Sequence, residues 1–133
     1  MIIGVGLDVV EMERMAKLLA GDSGRKFAER VLTAAELDHY AGMQPRRAVE
    51  FAAGRFAAKE AVVKAFGCGI GATVGFHDIE LLPDASGRPL CRLSEEAWGR
   101  LGLHGAGHSI HVAITHERKL AAATAIVEAV SAR

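Results

Sequence analysis

Two acidic residues sit where a carboxylate is hard to accommodate. Asp8 closes the apolar run "IIGVGLD" and is followed at once by Val9 and Val10. Aspartate is depleted in strands, and a buried, unpaired carboxylate is costly. Glu60 lies in "GRFAAKEAVVKAFG", residues 54–67, which reads as helix. On a wheel of about 100° per residue, with Phe56 at zero, Val49, Ala52, Val63 and Gly67 fall within about 40° and form an apolar stripe. Glu60 falls about 40° from Phe56, inside that stripe or at its edge. Ala58, Ala61 and Ala65 take the opposite side, so the helix is expected to be covered on both sides.

Each carboxylate has an ordinary explanation. Glu60 and Lys64 form an i,i+4 pair in the favourable orientation, worth roughly 0.3–0.5 kcal/mol on a surface. Asp8 could cap the helix that follows, although Glu11 and Glu13 would crowd it. The two anomalies are better explained together. A hard cation such as Mg²⁺ takes one or two protein carboxylates beside waters and substrate phosphates. Asp8 and Glu60 are expected to be that pair, and Lys64, one turn on, would reach a phosphate bound there. Lys59 could do so from the other flank or pair with a carboxylate, and the pattern assigns it no single role.

The stretch "FGCGIG" after the helix is not a Walker A loop, since it follows a helix and lacks the GK[ST] ending. Gly67 suits a helix C-cap. Gly69 and Gly71 exceed what a cap needs, and either turn geometry or close approach to a ligand would explain them. Four histidines fall between His104 and His116, but without HExxH or a neighbouring cysteine pair they do not suggest zinc.

A strand, a long helix and a loop must position these groups. Residues 2–10 are β-branched and apolar and read as a buried strand. "EMERMAKLLA" has helical spacing, with Gly21 placed to stop it, and "RKFAERVL" is a short helical or turn segment. Thr33 with Glu36 three residues on is a capping box and so starts a helix. Pro45 stands near the first turn of a helix reaching about Phe66, where proline is tolerated. "FHDIELLP" and "LCRL" read as strands around the turn "DASGRP", and Ser94 caps a helix to about Leu103. "HSIHVAITH" alternates as a strand. "LAAATAIVEAV" reads as another, although its small residues would also suit a helix. This order predicts an α+β fold in a single domain spanning residues 1–133.

Composition narrows the function. Lys plus Arg and Asp plus Glu balance at 16 each. No global charge draws the chain to nucleic acid or membrane, and any anion site must be local. The N-terminal apolar run is broken by Gly4, Gly6 and Asp8, which fits neither a signal peptide nor a membrane span. Cys68 and Cys91 form no CxxC, which suits a reducing cytoplasm.

"GVGLDVVEMER" followed by "RFAAKEAVVKAFG" resembles the holo-[acyl-carrier-protein] synthase group of the 4'-phosphopantetheinyl transferases. The stretches "GIG", "HDIELLPDASGRP" and "HVAITHERKLAAATAIVE" are similar to that group too, so the likeness runs along nearly the whole chain. It implies an antiparallel sheet packed with a long central helix. It also implies transfer of phosphopantetheine from coenzyme A to a serine of apo acyl carrier protein, in fatty acid biosynthesis, releasing adenosine 3',5'-bisphosphate. By resemblance Asp8 and Glu60 are Mg²⁺ ligands and Lys64 is at the pyrophosphate. Arg46, Arg55, Gly67, Gly69, Gly71 and Pro89 fall where the group contacts the nucleotide half of coenzyme A. His116 matches a histidine near the reaction centre, so either it or Glu60, acting through a water, would take the serine proton. Arg14, Lys26 and Arg30 match basic residues presented to the acidic carrier protein. The group's short members are homotrimers with active sites between subunits. A phosphohydrolase using the same Asp, Glu and Lys, or a non-catalytic nucleotide-binding oligomer, are the competing expectations. The segment "EEAWGRLGLHGAGHS" is longer than usual in the group, and no function is assigned to His104 or His108.

Overall fold

The computed structural model describes residues 1–130. Strand β1 (Ile2–Glu11) leads into helices α1 (Met12–Ala20), α2 (Gly24–Val31), α3 (Ala34–Ala41) and the long α4 (Pro45–Ala65). A hairpin follows, β2 (Ile79–Pro83) and β3 (Pro89–Leu93), then α5 (Glu95–Leu101), β4 (His108–His116) and β5 (Leu120–Ala129). The architecture is α+β. One antiparallel sheet has the order β1-β5-β4, and β2-β3 form a second, two-stranded sheet. "LAAATAIVEAV" is therefore a strand: Ala121, Ala123, Ala125 and Val127 alternate toward the core and are buried, a period-2 pattern that no helix shares. The segment expected as strand from Phe76 begins with a 3₁₀ turn, Phe76–Asp78, before β2.

Helix α4 is the spine. It is covered on both sides, as expected, but the large residues of the stripe are not all its most buried. Ala53, Ala57, Ala58, Ala61, Val62 and Val63 have no exposed surface, while Val49 and Phe56 remain half-buried. Alanine lets the helix approach the sheet closely, and glycine completes the fit. A Cβ on Gly6 would stand 1.8 Å from the Ala61 carbonyl oxygen, and one on Gly4 would stand 1.7 Å from that of Ala65. At its other half, α4 meets β4, where a Cβ on Gly54 would lie 3.0 Å from Ile114. The helix thus crosses the sheet diagonally, from β4 at Gly54 to β1 at Ala61 and Ala65.

Alternation along β1 turns Gly4, Gly6, Asp8 and Val10 toward α4 and Ile3, Val5, Leu7 and Val9 to the opposite face. The strand expected to be buried is therefore covered on one face only: on the other, Val5 is 65% and Leu7 57% exposed, with Ile126 of β5 opposite Val5.

Candidate active site

Asp8, Glu60 and Lys64 come together as expected. The Lys64 ammonium donates to an Asp8 carboxylate oxygen at 3.0 Å and to the Leu7 carbonyl, also at 3.0 Å. That carbonyl lies on an open strand edge. The Met12 N–H bonds the Lys119 carbonyl, so Glu11 and Leu120 are a non-hydrogen-bonded pair. Counting back by twos, the Leu7 N–H and C=O point away from β5. Glu60 is half-buried, and its carboxyl is pushed up, first by burial and then by the Asp8 charge, with Lys64 opposing. Two carboxylates close enough for the Asp8 charge to raise the Glu60 carboxyl, with a cation already on Asp8, fit a site for a hard divalent ion. Among the described residues no three or more His, Cys, Asp or Glu side chains gather into a metal cage. A two-carboxylate site that leaves other positions to water and phosphate is the Mg²⁺ pattern.

A second group forms at the opposite edge of the sheet, beside β4. Arg47, Glu50, Phe51, Gly54, Arg55, Ile114 and His116 enclose a hollow of about 100 Å³. The Arg55 guanidinium lies 4.2 Å above the Phe51 ring, and its Nε donates to the Leu81 carbonyl at 3.3 Å. Its terminal nitrogens make no hydrogen bond among the described residues, and a guanidinium fork matches phosphate geometry. Burial pulls the Arg55 pKa down, the Glu36 carboxylate opposes this, and Arg47 adds to it. His116 Nδ1 is 3.8 Å from a Glu50 carboxylate oxygen. Glu50 also lines a larger cleft of about 720 Å³, as do Arg46, Met12 and Lys119.

The expected catalytic trio of Glu60, Lys64 and His116 is thus split within one chain. Asp8 pairs with Ala123, and Ala123 with Ile114, two residues before His116. Two strand spacings across and two residues along put the Asp8 and His116 Cα atoms roughly 12 Å apart. They lie on the two edge strands of a three-stranded sheet, a separation that sequence order alone does not reveal.

The glycine loop starts with Gly67 at φ +78°, the left-handed cap expected after α4, while Gly69 and Gly71 face open space. The Gly71 N–H bonds the Val74 carbonyl, and Arg100 of α5 fastens the loop by donating to the Thr73 carbonyl and to Asp78, each at 2.8 Å. Pro89 opens β3. Arg14 on α1 and Lys26 and Arg30 on α2 are all exposed.

Sequence reasoning left Lys59 between a phosphate and a carboxylate, and the structure gives it the carboxylate of Glu36. It is fully buried, and its ammonium donates to Glu36 at 2.6 Å, to the Val31 carbonyl at 2.7 Å and to the Phe76 carbonyl at 3.0 Å. The only signal was indirect: Lys59 stands on a helix whose neighbours are nearly all apolar.

The family model for the 4'-phosphopantetheinyl transferase superfamily matches residues 4–125. The chain belongs to this superfamily. It is 46% identical over 134 residues to the holo-[acyl-carrier-protein] synthase of Bacillus subtilis, covering 98% of this chain and 99% of that one. Its fold matches the holo-(acyl-carrier-protein) synthase of Bacillus anthracis in complex with CoA (3',5'-ADP), with a TM-score of 0.82, 40% identity and coverage of 97% and 98%. The Helicobacter pylori synthase in complex with coenzyme A gives a TM-score of 0.79 at 30% identity, covering 93% and 99%. Residues 4–125 of this superfamily member include the Asp8–Glu60–Lys64 cluster, the Arg55 hollow and the glycine loop.

Proposed function

We propose that this protein is a Mg²⁺-dependent holo-[acyl-carrier-protein] synthase, moving phosphopantetheine from coenzyme A to a serine of apo acyl carrier protein as a step in making fatty acids. The observation that carries the reading is the Asp8–Glu60–Lys64 cluster on a family scaffold: two carboxylates and an ammonium arranged for a metal and a pyrophosphate. In the reaction the serine oxygen attacks the β-phosphorus of coenzyme A, and the bond to the bridging oxygen of adenosine 3',5'-bisphosphate breaks. Mg²⁺ held by Asp8 and Glu60 would offset charge on the phosphate oxygens. Lys64 leaves Asp8 for the pyrophosphate and donates to the oxygen where leaving-group charge builds. Glu60, acting through a water, or His116 would take the serine proton. Arg55, Arg46, Pro89 and the loop from Gly67 through Gly69 to Gly71 hold the nucleotide end. Arg14, Lys26 and Arg30 draw in the acidic carrier protein.

The opposite-edge arrangement and the bare apolar face of β1 and β5 support a homotrimer with the site shared between copies. One copy's β1 edge meets the next copy's β4 edge, so His116 and Arg55 serve a neighbour's Asp8. A large exposed apolar face is what an isologous or cyclic interface covers. A single transferase domain fits the continuous core. Two free cysteines, with no helix long and apolar enough to cross a membrane among the described residues, fit a cytoplasmic enzyme.

The deciding experiment incubates the protein with coenzyme A, Mg²⁺ and an apo carrier protein, followed by intact-mass spectrometry. A gain of one phosphopantetheine on the carrier is expected. Hydrolysis of coenzyme A without transfer would point instead to a phosphohydrolase, and no turnover to a binding oligomer.

A further inference from the structure

The hydrogen bonds around Lys59 and Glu36 fix their charge states. Lys59 has three ammonium protons and three oxygen acceptors. Glu36 accepts from Lys59 and from the Thr33 N–H (2.8 Å) on one oxygen, and from the Leu81 N–H (2.8 Å) on the other. Every partner of the carboxylate is a donor and every partner of the ammonium an acceptor, so the buried pair is ionised and fully satisfied.

Leu81 is where this pair meets the substrate site. The Ser94 N–H bonds the Asp78 carbonyl, which makes Ile79–Leu93, and by alternation Leu81–Cys91, non-hydrogen-bonded pairs of the hairpin. The N–H and C=O of Leu81 therefore both point outward from β2, on an edge that no strand covers among the described residues. Glu36 takes the N–H, and Arg55 takes the C=O. Thr33, capping α3, adds a second tie to β2 by donating to Glu80 at 2.7 Å.

We propose that Glu36 and Lys59 are positioning residues for coenzyme A: by clamping the outer edge of β2 they fix the Leu81 carbonyl, which orients the Arg55 fork toward the nucleotide phosphates. This rests on the proposed transferase function. Arg55 binds through its terminal nitrogens only while its Nε is tethered. The tether is one carbonyl on a short edge strand, and the same residue's N–H is held by a carboxylate locked to Lys59, Thr33 and α4. Freed from Glu36, Leu81 loses its register against the helix, and Arg55 loses its anchor.

The test separates positioning from stability. Glu36→Gln and Lys59→Met each leave one charge buried without its partner, and both are expected to lower Tm. The double variant Glu36→Leu/Lys59→Met removes both charges and recovers Tm relative to the singles, because an apolar pair can replace a buried ion pair. It still lacks the acceptor for the Leu81 N–H. Calorimetric Kd for coenzyme A, measured well below Tm, is expected to rise about tenfold in the double variant, with KM for apo carrier protein within twofold of wild type. A double variant that recovers Tm and binds coenzyme A as tightly as wild type would overturn the proposal, as would an equal rise in KM for the carrier. Glu36→Asp keeps the charge but shortens the reach to Leu81, and it carries the same comparison should the double variant not fold. In an Arg55→Lys background, Glu36→Asp is expected to add nothing to the loss of coenzyme A affinity. An additive loss would show that the pair acts elsewhere. Failure of wild-type transfer would instead refute the transferase reading, and it is read on a different sample.

Discussion

Lys59 and Glu60 are adjacent on one helix, carry opposite charges, and meet opposite fates. Lys59 is fully enclosed with three hydrogen bonds. The Glu60 side chain makes no hydrogen bond among the described residues, and burial together with Asp8 pushes its carboxyl up. About 100° of helix rotation separates the two. One side turns to α2, α3 and the hairpin, where partners are complete. The other turns to the open edge of β1, where Lys64 bonds Asp8 and Glu60 has nothing equivalent. A completed network holds the fold, whereas an uncompleted one leaves interactions for a ligand to make. The electrostatic discomfort of Glu60 thus marks function more clearly than the far deeper burial of Lys59.

The contrast can be tested from both sides. Glu60→Ala should cut phosphopantetheine transfer about a thousandfold, the scale of losing a principal charge-stabilising group, while leaving the chain folded by circular dichroism. Lys59→Met should do the reverse, costing about 3–5 kcal/mol of unfolding free energy in urea and sparing turnover per folded molecule to within the coenzyme A effect described above. Gly6→Ala forces a methyl against the Ala61 carbonyl, and overpacking of this kind costs about 1–3 kcal/mol. Because it drives α4 from β1, it should also weaken the response of Tm to added Mg²⁺. The smallest effect is expected from Glu60→Gln. A carboxyl raised in the fold makes the ionised side chain a cost to stability, present above the folded pKa and gone once pH falls below the unfolded value. The variant should therefore melt slightly higher than wild type at neutral pH without Mg²⁺, and the gap should close in acid. A gap that widened in acid would mean that Glu60 stabilises the apo fold as an anion, and the contrast would be lost.

What the sequence discloses depends on the range of the interaction. The Thr33–Glu36 capping box was legible because it is local, and both reciprocal bonds form. The same Glu36 also holds Lys59 and Leu81, far along the chain, and nothing in its local pattern announces this. The wheel favoured the side of α4 bearing Phe56 and Val49, since hydrophobicity weighs large residues. The tightest packing is on the alanine side, where small volume lets glycines of β1 close in. Asp8 and Glu60 were legible as a pair because each is anomalous in its own element, and Lys64 followed from its place one turn beyond Glu60. That His116 lies across the sheet from them was not, because the order β1-β5-β4 is a property of pairing, to which the chain order of motifs is blind.

The two edge strands carry a genetic consequence. A chain with Asp8→Asn and a chain with Arg55→Ala are each expected to be nearly inactive alone. If each site takes its metal edge from one copy and its nucleotide edge from the next, mixed assemblies contain an intact site wherever an Arg55→Ala chain presents its Asp8 to an Asp8→Asn chain's Arg55. Two dead alleles would then rescue one another in a single cell.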